Sequence, residues 1–204
     1  MKKAITLLFI TTAMLATSNA ALIITEFMAD ALAVNDAEGE YFEVFNSGSS
    51  AITISTLTIE DDGSDSLDLV GQTGTIGAGE FFVFGNHTAS YVDFDYSVLG
   101  TYFLSNGADE IVITETSSGT ELARLNYTNG DAPGDGIANV LNDIANVTGG
   151  VTSPDDYIGE ISTFNTLTNG DVGSPGIFGS TVPEPSSTLL VSLAGFALLF
   201  RRRK

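Results

Sequence analysis

The 204-residue chain has no cysteine, no tryptophan and a single histidine, and only seven lysines and arginines stand against 26 aspartates and glutamates. Each shortage excludes a class of chemistry. Without cysteine there is no disulfide framework, no thiolate zinc site and no thiol nucleophile. One imidazole cannot build a multi-histidine metal centre. A formal net charge of −19 opposes nucleic-acid binding, because neutralising phosphates needs Lys and Arg. What is present is 43 % apolar residues and 22 glycines, which fits one folded, β-rich domain with attachments better than a disordered chain.

The few bases are unevenly placed. Lys2, Lys3, Arg201, Arg202, Arg203 and Lys204 sit at the two ends, and only Arg124 lies between. Lys2 and Lys3 precede an apolar run over residues 4–15, followed by the small and polar residues Ala16-Thr17-Ser18-Asn19-Ala20. A positive start, a short apolar stretch and small residues before a cut are the parts of a secretory signal peptide, residues 1–20, cleaved between Ala20 and Ala21. The run is shorter than the roughly 20 residues that span a bilayer as a helix.

At the other end, Val182-Pro183-Glu184-Pro185 lies in a linker over residues 179–187, ahead of an apolar helix over 188–200 and the basic end 201–204. The prolines mark where a helix begins. The terminal bases hold their end on the cytoplasmic side. Thirteen residues make a helix about 20 Å long, a short transmembrane span. These three parts together resemble the PEP-CTERM sorting signal of Gram-negative bacteria. The resemblance implies an exosortase as processing partner, cutting near the motif. It also implies transient residence in the inner membrane, delivery to the cell surface or extracellular matrix, and an association with exopolysaccharide.

Between these segments 25 acids face one base, a charge of −24. Short β-type runs alternate with turn clusters. Strands are expected at Leu22–Met28, Glu40–Asn46, Ala51–Glu60, Glu80–Gly85, Glu110–Thr116 and Glu121–Tyr127. The apolar phase shifts inside the third run, which predicts a bulge near Ser55-Thr56. Ser117-Ser118-Gly119 predicts a hairpin connection. No period of 3.6 persists, so the expected fold class is all-β, an antiparallel β-sandwich. From about residue 130 alternation fades, which predicts loops wrapping the sandwich edge, with a weak strand around Tyr157 to Ile161.

The runs Ile23-Ile24-Thr25-Glu26-Phe27-Met28 and Glu40-Tyr41-Phe42-Glu43-Val44-Phe45-Asn46 resemble the opening of a lamin tail domain. Thr75–Val83 and Leu104–Ile111 are similar to its later segments, and Gly173-Ser174-Pro175-Gly176 is an ending common after such domains. Over residues 21–178 the resemblance implies an immunoglobulin-like sandwich. Tyr41 stands where the family usually has a tryptophan, Thr56-Leu57 where it usually has Gly-Trp, and Ala123 where an acid is frequent. The resemblance brings no active site.

Candidate chemistry is sparse. His87, in Gly85-Asn86-His87-Thr88, reads as a water-exposed loop residue, with no Gly-x-Ser-x-Gly elbow to serve. Tyr41, Tyr91, Tyr96 and Tyr102 are the rings that could stack on a sugar in place of tryptophan. The acidic loop residues Asp61, Asp62, Asp65 and Asp68 offer the several oxygen ligands that calcium prefers, without the spacing of an EF-hand. Asp131 and Asp135 form a second such cluster. A solvated loop is the plainer reading of both. Three Asn-x-Thr patterns, at Asn86, Asn126 and Asn146, are coincidental. The expected function is a non-enzymatic surface or matrix protein that binds exopolysaccharide or surface proteins. The alternative is a secreted hydrolase of matrix polymers dependent on a divalent metal.

Overall fold

The computed structural model describes residues 22–63, 65–100, 104–128, 136–143, 147, 150–159 and 167–177. Strands begin where apolar and β-branched residues replace turn chemistry. They are β1 (Leu22–Met28), β2 (Tyr41–Asn46), β3 (Ile52–Thr53), β4 (Leu57–Glu60), β5 (Ser66–Asp68), β6 (Thr75–Ile76) and β7 (Phe81–Gly85). They continue with β8 (Phe94–Asp95), β9 (Asp109–Glu115), β10 (Thr120–Tyr127), β11 (Asn139–Leu141), β12 (Val151–Thr152) and β13 (Tyr157–Gly159). One sheet runs β13-β11-β1-β2-β7-β8 and the other β12-β10-β9-β4-β5, with β3 and β6 as a separate pair. This is the expected sandwich. Most pairings are antiparallel, but the edge strands β8 and β12 join parallel to β7 and β10.

The core between the sheets is aliphatic and aromatic. Phe42 stacks on Phe84 at 5.1 Å, Phe27 lies 4.8 Å from Tyr127, and all four are buried. The hydroxyl of Tyr157 donates to the Ile24 carbonyl at 2.7 Å, so its polar end is satisfied inside the core.

Two expectations are corrected. The phase shift near Ser55-Thr56 is a 3-10 turn at Ile54–Thr56, at which the chain leaves its pairing with β6 for one with β9 and β5. The bulges fall elsewhere, between Ile24 and Glu26 in β1 and between Glu121 and Ala123 in β10. The chain beyond residue 130 does more than wrap the edge. β11 inserts between β1 and β13, so the first sheet takes two of its six strands from that region. The hairpin between β9 and β10 closes as expected, with Gly119 at φ +66°.

The bulge in β1 positions the most unusual side chains. Strict alternation would put Ile24 and Glu26 on one face. The extra residue turns Glu26 away from the core, so it pairs with Glu43 of β2 while Phe27 and Phe42 still point inward. The outward face of β1 and β2 therefore carries Glu26, Met28, Tyr41 and Glu43. None is solvent-facing, because all six residues of β2 and all seven of β1 are buried.

Candidate functional site

The acidic loop lies between β4 and β5, and its carboxylates are already engaged. Asp61 Oδ1 accepts from the backbone N–H of Gly63 at 2.7 Å and of Asp65 at 3.1 Å, and Asp68 Oδ1 accepts from Val70 at 2.9 Å. Asp62 forms a two-pronged bond with Arg124, from Nη1 at 2.9 Å and Nη2 at 3.0 Å. That guanidinium holds the Asp62 carboxyl below the usual carboxylate range. Arg124 Nε also reaches Glu121 at 2.9 Å. Among the described residues, no three His, Cys, Asp or Glu side chains gather as a metal-holding group. Asp131 and Asp135 lie outside the described residues.

His87 is half-buried rather than exposed, a correction to the sequence reading. Its Nε2 lies 2.9 Å from the hydroxyl of Tyr91, whose ring packs edge-on against Tyr41 of the sheet's outer face. Burial pushes its pKa down, against the opposing fields of Asp95 and Glu38. Of the four tyrosines, Tyr41 and Tyr96 are fully buried and out of a sugar's reach, Tyr91 is half-buried, and Tyr102 lies outside the described residues.

A second buried polar constellation carries more of the structure than either candidate. Glu26 and Glu43, each 1 % exposed, are register partners on adjacent strands. Glu26 Oε1 accepts from the Tyr41 hydroxyl and, at 2.8 Å, from the Ser174 N–H, while Ser174 Oγ donates to Oε2 at 3.0 Å. Glu43 accepts from Thr25 Oγ1 at 2.6 Å and from the Gly176 N–H. Burial, and secondly the charge of Glu26, push the Glu43 carboxyl up to about 8, against the lowering effect of those two donors. Burial first, then Glu26, raises Tyr41 well above the ordinary phenol value.

The donors from residues 174 and 176 belong to a strap, residues 167–177, laid across the outer face. Leu167 packs with Met28, Tyr41, Val83 and Ala138 in a small second core. Asp171 Oδ1 accepts from the N–H groups of Leu32 and Ala33 at 3.1 and 2.9 Å. Val172 bridges the segment leading into β11, through Gly136 and Ala138 at 2.8 Å each. Ser174-Pro175-Gly176-Ile177 then turns, with Ile177 N–H donating to Ser174 at 3.0 Å and Gly176 at φ +85°. Proline second and glycine third is the chemistry of a type II turn.

Sequence reasoning missed this site. Its signal was two glutamates inside otherwise apolar strands plus a Ser-Pro-Gly turn, but alternation alone reads Glu43 as facing solvent. Glu40 is a third buried acid, 2 % exposed, with Asn86 Nδ2 at 3.5 Å and Leu104 N–H at 3.4 Å.

The sorting residues Val182, Pro183, Glu184, Pro185, Arg201, Arg202 and Arg203, and the cleavage pair Ala20 and Ala21, lie outside the described residues. No described helix is long and apolar enough to cross a membrane.

No curated protein matches the chain. A PEP-CTERM protein-sorting motif is matched at residues 181–204, which marks the chain for export through an exosortase system as a membrane-anchored precursor. The Lamin Tail Domain family model matches residues 16–129, more than half of the sequence, and spans both sheets up to β10. With the sandwich and the family match in agreement, the chain belongs to the lamin tail domain family.

Proposed function

We propose that the chain is exported and processed by an exosortase, and that its sandwich then acts at the cell surface or in the matrix as a non-catalytic binding or structural module. One observation carries this reading: a lamin tail domain and a sorting motif occupy the same short chain. The acid-rich composition supports it. A body with 25 acids and one base repels its own kind and stays soluble outside the cell. The partner class that suits it is cationic, or a neutral polymer such as exopolysaccharide. His87, the one imidazole, has its Nε2 engaged with the Tyr91 hydroxyl at 2.9 Å.

Calcium remains a proposed small partner of the loop holding Asp61, Asp62, Asp65 and Asp68. Melting curves with and without calcium should separate for the native loop and coincide once Asp61, Asp62 and Asp65 are replaced by Asn. Coincident native curves leave solvation as the loop's whole role.

Fractionation with intact-mass measurement tests the main reading. The surface form should lack Arg201, Arg202, Arg203 and Lys204, and the precursor should accumulate in the inner membrane of cells without the exosortase. A surface form that retains the basic end overturns it.

A further inference from the structure

Asn106 and Gly107 sit in the turn that leads into β9, and the Asn106 side chain is exposed. Its Nδ2 donates to Asp30 Oδ1 at 3.0 Å, a bond between residues 76 positions apart. Asp30 lies just past β1 and Asn106 just before β9, so this contact ties the six-stranded sheet to the five-stranded one. Asp30, Asn106 and Gly107 also line one small cleft with Phe27 and Tyr127. Ser105 anchors the turn on its other side: its N–H donates to Asp109 Oδ2 at 2.7 Å, and its carbonyl accepts from the Tyr127 hydroxyl at 2.9 Å. Around Gly107 there is room. A Cβ built there meets only Ser105 Oγ, at 3.4 Å.

We propose that Asn106 is a site of spontaneous deamidation, and that its conversion to aspartate or isoaspartate cuts the tie to Asp30 between the two sheets.

The Gly107 amide nitrogen attacks Cγ of Asn106. Its proton leaves with the side-chain nitrogen as ammonia, and a succinimide ring closes. Water then adds to either imide carbonyl and opens the ring to aspartate or isoaspartate. Water is consumed and ammonia released, with no oxidant or cofactor. Glycine favours the closure because no side chain shields its nitrogen or restricts the main chain beside it.

The sequence holds three Asn-Gly pairs, at Asn106, Asn129 and Asn169, and Asn129 lies outside the described residues. The structure separates the other two. Asn169 is held at both ends of its carboxamide: Nδ2 donates to Asp171 Oδ2 at 3.1 Å, and Oδ1 accepts from the Asp171 N–H at 3.0 Å. Asp171 is in turn fixed to the N–H groups of Leu32 and Ala33. Turning that carboxamide towards Gly170 breaks two bonds, whereas Asn106 gives up the one to Asp30. In the product the donor is gone. Position 106 then faces Asp30 acceptor to acceptor, and two carboxylates in that contact repel. The change runs one way, so each copy accumulates it with age.

The full chain in detergent is incubated in warm, mildly alkaline buffer and mapped by peptide mass spectrometry, with isoaspartate detected by enzymatic methyl transfer. Conversion at Asn106 should run about tenfold faster than at Asn169, the factor that one further hydrogen bond to break supplies. Gly107→Ala, whose methyl group the turn accommodates, should slow conversion at Asn106 several-fold. No conversion at Asn106, equal rates at Asn106 and Asn169, or an undiminished rate in Gly107→Ala overturns the site. Melting curves read the consequence. Asn106→Asp should lower the melting temperature by about 2–4 °C, and should lower it by nothing in the Asp30→Asn background, where donor and acceptor are exchanged. An unchanged melting temperature in Asn106→Asp, or the same fall in both backgrounds, overturns the severed tie.

Discussion

Glu26 gathers three donors from two parts of the chain, the Tyr41 hydroxyl and both polar groups of Ser174. Glu26→Ala would leave them buried without an acceptor, each costing about 1–3 kcal/mol. Urea denaturation should show a loss of at least about 3 kcal/mol, whereas Tyr41→Phe, which removes a single donor, should cost about 1–2 kcal/mol. Gly173→Ala is a sharper probe. Its methyl group would strike the Tyr41 hydroxyl and the Leu167 side chain, and overpacking of this kind costs about 1–3 kcal/mol. The same residues show what a sequence conceals. Phe42 and Val44 read correctly as core from their alternation. Glu43 falls on the opposite side from them, and alternation reports which side of a strand a residue occupies and not whether a further layer covers that side.

At the scale of elements, strands with strong β-type runs were legible almost to the residue: Leu22–Met28 matches β1, and Glu121–Tyr127 falls within β10. β11 was not legible. Its three residues, Asn139-Val140-Leu141, are too few to show a period, and it forms because β1 offers an unpaired edge. The bulge in β1 escaped for a related reason, since every residue of Leu22–Met28 is buried, Thr25 and Glu26 included, and no exposed position marks the change of phase. The loop between β4 and β5 supplies a prediction at this scale. Arg124 anchors Asp62 to β10, and Asp61 and Asp65 sit close enough to raise the Asp109 carboxyl, second to its burial. Arg124→Ala should therefore lower the melting temperature at low ionic strength. Raising NaCl to about 0.5 M, where the screening length shrinks below about 5 Å, should close most of the gap to the native chain in a thermal-shift assay.

For the whole molecule, charge of one sign dominates. The body carries 25 acids and one base, so self-repulsion lowers its stability at neutral and alkaline pH. Glu43 acts in the same direction: its proton is bound more tightly in the folded state, so stability is greatest at mildly acid pH and is lost as pH rises towards about 8. The melting temperature should be higher near pH 6 than near pH 9, the difference should shrink with added salt, and it should shrink further in Glu43→Gln. A melting temperature rising with pH over that range would contradict the assignment of Glu43.

The strap also decides how the molecule responds to being pulled. The described strap ends at Ile177, a few residues before the sorting motif at Val182–Pro185, so tension on that tail reaches the described body through Gly176 and Ser174. Those contacts are side chain to backbone rather than a long ladder in shear, and they would part first. Peeling residues 167–177 pays out roughly 40 Å of chain at about 3.5 Å per residue before any sheet hydrogen bond is stretched. The domain thus has a mechanical fuse in series with its tether: a brief tug lengthens the leash and leaves the sandwich whole.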